Sequence, residues 1–304
     1  MIRHLPVFAC LLLVAFSEGQ MATRAEAPAC TAAGLARLSE EDRAIALETI
    51  APRDIGKFAL DLIPCLEDPD PEIRDGIAYE TLSEIMRAGR LEPETLQAMK
   101  AALLSSLATA DGDPEGFRGP FAALVLAEVA RTDRMSPWMN DAERRELIGA
   151  AHDYLAGLTD YRGFDETEGW RHGVAHTADL LMQLSLNPAL TRPQADAILE
   201  AVALQVAPTS HAYVFGESGR LARPVIFLSR RGMFSEAEWT GWLLGLWPMD
   251  DPLRQDVYSS EAALRKRHNL SAFANEIYVA SAAPAGETAG PLAGPALALI
   301  SELP

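Results

Sequence analysis

The chain has 304 residues, 49% of them hydrophobic, with 26 Lys and Arg against 43 Asp and Glu and a formal net charge of -17. A chain of this length and apolar content buries a substantial core, which excludes the disordered class. So acidic a surface repels phosphate backbones and anionic headgroups, which argues against nucleic-acid partners.

Residues 1–25 read as an export signal. MIRH supplies a short positive region, LPVFACLLLVAF an apolar run, and SEGQMATRAEA a polar stretch with small residues suited to cleavage after Gly19 or Ala25. The run falls short of the roughly 20 apolar residues of a membrane span. Retention as an N-terminal anchor is the alternative. The expected location is periplasmic or secreted, with no membrane span after cleavage. Cys10 leaves with the signal, and Cys30 and Cys65 remain. An oxidising compartment would join them as a disulfide between the N-terminal segment and the second helix; two buried free thiols are the alternative.

From Ser39 onward the pattern is helical almost throughout. LSEEDRAIALETI offers Ser39 as an N-cap with acids in the first turn, and DIGKFALDLIPCL carries Pro64 near its end. DPDPEIRDGIAYETLSEIMRAG places Pro71 in a first turn, spaces Ile73, Ile77, Leu82 and Met86 helically, and stops at Gly89. EPETLQAMKAALLSSLA, FAALVLAEVAR, DAERRELIGAAHDYLAGL, RPQADAILEAVALQVA and SEAEWTGWLLGLW follow, divided by short Pro, Gly, Asp or Ser breaks. Strand signals are few; AYVF (212–215) and PVIFL (224–228) are the best.

The expected fold class is all-α, an irregular HEAT-like stack of helical hairpins forming an α-α superhelix, with an irregular bundle as the alternative. Asp70-Pro71, Ile73, Arg74, Ala78 and Leu82 resemble the core of a HEAT-type repeat, in which the Pro starts the helix and the Arg braces the preceding turn. One domain is expected over 26–283. An Ala/Gly/Pro-rich tail follows over 284–304, ending in a short helix at 295–303.

The densest stretch is DYRGFDETEGWRHGVAHTADLLMQL (160–184). On a helix turning about 100° per residue, with His172 at zero, His176 lies near 40°, Asp179 near -20° and Gln183 near 20°. Trp170, Val174 and Leu181 fall opposite, predicting a polar stripe and a buried face on one helix over 170–184. His172 and His176 at i and i+4 have metal-ligand spacing, and Asp179 could add an oxygen or orient a histidine. HGVAH carries Gly173 where a zinc protease carries its general base, so that mechanism is unavailable. A further ligand would come from His152, His211 or Asp160. A metal site, a polar binding groove and an inert helix face are the three readings. In the loop before it, Arg162 could clamp a carboxylate or pair with Asp160 or Asp165.

Other motifs carry less. GESGR lacks the second Gly of a nucleophile elbow, with Arg220 in its place. No phosphate loop or dinucleotide fingerprint occurs. Trp239, Trp242 and Trp247 form either a sugar-stacking platform or, the favoured reading, an aromatic core helix. The sequon at Asn269 carries no inference.

RDGIAYETL, DYRGFDETEGWRHGVAHTADLL, GESGRLA and HNLSAFANEIY occur in this order. Together they resemble a bacterial family known only as a domain of unknown function, helical in expectation, with a D-x-R-G-[FY] loop followed by G-W-x-H-x-x-A-H-x-A-D. Asp160, Arg162, Gly163, Trp170, His172, His176 and Asp179 match that signature. Asp75 and Tyr79 match its upstream helix, Arg220 its downstream one and Asn269 its last. The resemblance spans most of 35–280 and implies a shared fold and a shared polar site, without a reaction.

The expected role is binding of a small molecule or a protein partner. The expected groove is lined by Asp75, Tyr79, Asp160, Arg162, Trp170, His172, His176, Asp179 and Arg220. Arg162 and Arg220 would hold anionic groups, the histidines would hydrogen-bond, and Asp179 would fix a histidine tautomer. No cofactor motif is found; a divalent metal on His172, His176 and Asp179 is the alternative. Catalytic residues are not assigned. The rival functions are an enzyme, metal-assisted or using a His-Asp pair for acid/base hydrolysis, and a purely structural scaffold.

Overall fold

The computed structural model describes residues 48–282 and 290–304. The export-signal run, Cys10, Cys30 and most of the helix expected over 38–50 lie outside them. Among the described residues the chain forms eleven α-helices and one two-stranded ribbon, an all-α stack. No described helix is long and apolar enough to cross a membrane.

The helices are α1 (Pro52–Leu62), α2 (Glu80–Arg87), α3 (Pro93–Ala108), α4 (Arg118–Met135), α5 (Asp141–Gly157) and α6 (Gly173–Ser185). After them come α7 (Arg192–Val206), α8 (Glu217–Ser229), α9 (Glu236–Gly245), α10 (Glu261–Ser281) and α11 (Ala293–Glu302). Their starts follow local chemistry. Pro occupies the first turn of α1 and α3, where its missing N–H is not needed. Asn140 and Glu143 close a capping box on α5, and Ser235 and Glu238 one on α9. Each cap satisfies orphan amides and contributes about 1 kcal/mol.

Two layers result. α2, α4, α6, α8 and α10 pack in succession as one layer, and α3, α5 and α7 form the other behind them. Short connections make neighbours antiparallel hairpins, as the breaks in the pattern require. α6 sits in the middle, between α4 and α8 and against α5 and α7. It is therefore buried almost all round, including Thr177, Ser185 and, of the polar stripe, His176 and Asp179, while Gln183 is half-buried. The two hydroxyls return their hydrogens to the helix's own carbonyls at Gly173 and Leu181.

A π-helical segment, Glu72–Tyr79, leads directly into α2. Arg74 within it is 0% exposed and donates to the carbonyls of Asp68 and Pro69, bracing the preceding turn. Residues 224–228 are not a strand. They lie inside α8, because Leu221, Val225 and Leu228 bury at helical spacing. Residues 212–215 form a loop instead, held by Asn269, whose amide donates to the His211 carbonyl and accepts from the Tyr213 N–H. Trp239 and Trp247 are core residues, and Trp242 packs edge-on against Phe273. The terminal helix is seated on α9 and α10 through buried Ala296 and Leu299, so the end of the chain joins the same core. Buried Cys65 is disulfide-bonded.

Candidate functional site

The approach to α6 departs from the expected single helix over 170–184. β1 (Phe164–Asp165) and β2 (Gly169–Trp170) pair antiparallel, Phe164 opposite Trp170. The turn between them is set by Asp165, whose carboxylate accepts from the Thr167 and Glu168 amides and is held below its usual range by them. Gly169 closes the turn at φ 74°. His172 then adopts φ 60° and ψ 40°, left-handed, and the helix starts only at Gly173. Among the described residues His172 is the one non-glycine with positive φ. Trp170 thus lies on the ribbon beside the histidines, not on the opposite face of their helix.

This kink is anchored by a stack of cations on one aromatic ring. Arg74 and Arg171 each approach the buried Phe117 ring, at 3.9 Å and 4.2 Å from its centroid. Desolvated cation–π contacts of this kind contribute up to about 2 kcal/mol each. Arg74 also donates to the Glu168 carbonyl at 2.6 Å and to the Asp75 carboxylate at 2.7 Å. Arg171 donates to the Glu115 carbonyl at 2.6 Å and to Glu168 at 2.8 Å. The ribbon, the π-helical segment and the start of α4 are therefore one rigid corner. Gly173 belongs to it: a Cβ there would stand 2.8 Å from the Tyr154 hydroxyl.

Beside this corner lies a groove of about 840 Å³, walled by the π-helical segment, α6, α8 and α10. Asp75, Tyr79, Trp170, His172, His176, Asp179 and Arg220 all line it. Phe215, Arg223 and Glu276 complete its polar and aromatic wall. Trp170 is 38% exposed, whereas His172, His176 and Asp179 are 7%, 7% and 8% exposed.

The deep groups are electrostatically distinct. His176 places Nδ1 3.2 Å from the Pro120 carbonyl, which only accepts, so Nδ1 carries the hydrogen and Nε2 is left as an acceptor. Burial lowers its pKa to about 3, helped by His172 and Arg220. His172 is lowered to about 4 by burial and then by Arg220, against a hydrogen bond to the Phe215 backbone. Both rings are neutral at pH 7. Asp179 accepts from Arg220 through one oxygen. Its other oxygen, Oδ1, is buried without a hydrogen-bond partner, with Arg223 Nη1 3.7 Å away. Burial raises the Asp179 pKa, opposed by Arg220. Asp75 is likewise raised by burial and opposed by Arg74, and burial raises Tyr79. His172 Nε2 is also buried without a hydrogen-bond partner, 3.7 Å from Glu217 Oε1. That separation is too long for a hydrogen bond.

Asp160 and Arg162 do not line this groove. They pair with each other at 2.5 Å beside a separate hollow, because their side chains are two residues apart in one loop. Arg220 is engaged by Asp179, and Asp179 turns to two guanidinium groups instead of orienting a histidine. The Pro120 carbonyl sets the His176 tautomer. Gln183 accepts from Arg134. His152 faces Asp153, and His211 stacks on Tyr161. Among the described residues no group of three or more His, Cys, Asp or Glu side chains is placed to hold a metal ion.

Sequence reasoning missed Glu217, Phe215 and Arg223. Glu217 was hidden in a motif compared with a nucleophile elbow, and Phe215 in an apparent strand. Arg223 was findable: it stands three residues beyond Arg220, on the same helical face.

Fold and groove together define an all-α stack of helical hairpins with a deep polar cleft between the π-helical segment, α6, α8 and α10. The chain belongs to the family described as Protein of unknown function (DUF2785), whose model matches residues 103–279, more than half its length. Asp75 and Tyr79 lie upstream of that span. No curated protein and no solved structure matches the chain.

Proposed function

We propose that the chain is an exported binding module whose groove holds a small polar molecule. The observation that carries this reading is the pair of buried acceptors without hydrogen-bond partners, His172 Nε2 and Asp179 Oδ1, on side chains lining one groove. An unsatisfied buried polar atom costs about 1–3 kcal/mol, and a ligand that donates to it recovers that cost on binding. His172 adds the strain of a left-handed non-glycine at the same place. The cleft volume suits a small molecule better than a protein surface. Export is supported by the pattern of residues 1–25 and by the disulfide bond of Cys65.

Acid–base catalysis is a second reading, favoured by His172, which lines the cleft, facing the buried Glu217 Oε1 at 3.7 Å. It would run through that pair and not through a His-Asp dyad.

A thermal-shift screen of sugars, organic acids and polyamines tests the binding reading. Gly219 lines the groove, and the nearest atoms to a Cβ there belong to the Glu276 side chain, from 3.4 Å. Gly219→Phe therefore plugs the cleft from a helix surface. A compound that raises the melting temperature of the wild type and not of this variant supports the reading. Shifts that survive the plug contradict it.

A further inference from the structure

The groove's chemistry also defines what it takes. Its charges cancel locally: Arg74 pairs with Asp75, and Arg220 with Asp179. Arg223 and Glu276 then add one charge of each sign. An anionic ligand would meet Asp75, Asp179 and Glu276, and a cationic one would meet Arg220 and Arg223, so each is repelled by part of the wall. What remains in excess is hydrogen-bonding capacity of both kinds. His172 Nε2, His176 Nε2 and Asp179 Oδ1 accept, and the guanidinium groups of Arg220 and Arg223 donate.

The mouth is aromatic. Trp170 is partly exposed, with Phe164 at 5.1 Å and Phe215 at 5.9 Å between ring centroids. Its indole is backed by the His172 imidazole at 4.7 Å and 24°. A rigid indole at the rim of a charge-balanced cleft offers a flat apolar surface to one face of a ring whose edge carries hydroxyls.

From this juxtaposition, and resting on the binding reading above, we infer that the ligand is a neutral carbohydrate, one pyranose ring seated against Trp170 and a hydroxyl donating to His172 Nε2. Hydroxyls serve both kinds of partner at once, which neither a carboxylate nor an ammonium does. The volume of about 840 Å³ accommodates more than one ring.

Calorimetric titration of the full chain with maltose, cellobiose, lactose and diacetylchitobiose tests this, with inorganic phosphate, citrate and spermidine as charged comparators. At least one neutral disaccharide should bind. Trp170→Ala and His172→Asn should each weaken it by about tenfold or more, while Trp170→Phe, which keeps an aromatic face, changes it by less than about threefold. Asn tolerates the left-handed conformation, so His172→Asn keeps the backbone. Saccharide binding indifferent to both substitutions overturns the inference, as does the absence of any saccharide binding. If phosphate, citrate or spermidine binds instead and Gly219→Phe abolishes it, the carbohydrate is wrong and the groove stands. If that binding survives the plug, both fail.

Discussion

The imidazole of His172 lies against the indole of Trp170, ring centroids 4.7 Å apart and planes 24° from parallel. The two residues stand at i and i+2, and His172 takes a left-handed backbone where the ribbon passes into α6. The strain of that conformation should be measurable. His172→Gly and His172→Ala both remove the ring, but only Ala keeps a Cβ at positive φ. The Gly variant should therefore be more stable than the Ala variant by about 1 kcal/mol, the reverse of the order inside a helix. Urea unfolding of the two proteins checks this, and equal midpoints would remove strain from the account.

The groove histidines should make stability depend on pH. Their folded pKa values, about 4 for His172 and about 3 for His176, lie below the ordinary 6.5. As pH falls through 6.5 the unfolded chain takes up protons that the folded chain refuses. Stability is then full above that value and declines toward pH 4, by up to about 1.4 kcal/mol per unit for each histidine. The raised pKa values of Asp75 and Asp179 act in the opposite sense, their contribution being lost as pH rises through their folded values. Unfolding free energies at pH 7 and pH 4.5 should differ less in His176→Gln than in the wild type, and an identical difference would contradict the assignment.

Asp133 should be a structural hot spot. It is fully buried, accepts from the amides of Trp138 and Met139 and from the Asn187 side chain, and pairs with buried Arg144 at 3.2 Å. These bonds tie the end of α4 to α5 and to the end of α6. Asp133→Ala strands Arg144 and should cost about 3–5 kcal/mol. A loss below about 1 kcal/mol in denaturant melts would show that the knot relaxes.

Cys65 should cross-link to Cys30. Peptide mapping without reduction should yield one peptide pair containing both residues, which disappears on reduction. Replacing the pair with Ser should cost about 2–4 kcal/mol. Free Cys30 in the mature protein would end the pairing, and with it one support for export.

Much of the fold is legible because its helices begin with local signals. Asn140, Ser235, Pro52 and Pro93 mark starts that need no tertiary information. Arg74 was readable as a brace for the same reason, its carbonyl partners being five and six residues away. The groove was only partly legible. Helical spacing relates His176 to Asp179, and Arg220 to Arg223, but the sequence contains no trace of the kink at His172. Nor does it foretell that Phe117 holds Arg74 and Arg171, or that Asp179 turns to α8. Those contacts join residues tens of positions apart, and packing alone decides them. Arg162 shows the converse: its nearest carboxylate, Asp160, took it out of the groove.

Occupancy of this groove by a small molecule, as proposed above, is open to direct observation. Crystals soaked with the compound that gives the largest thermal shift test it most directly. Ligand density is expected between Trp170 and α8, with a donor atom at hydrogen-bonding distance, roughly 3 Å, from His172 Nε2. Density elsewhere, such as the hollow beside Asp160 and Arg162, with the groove unchanged, would contradict it.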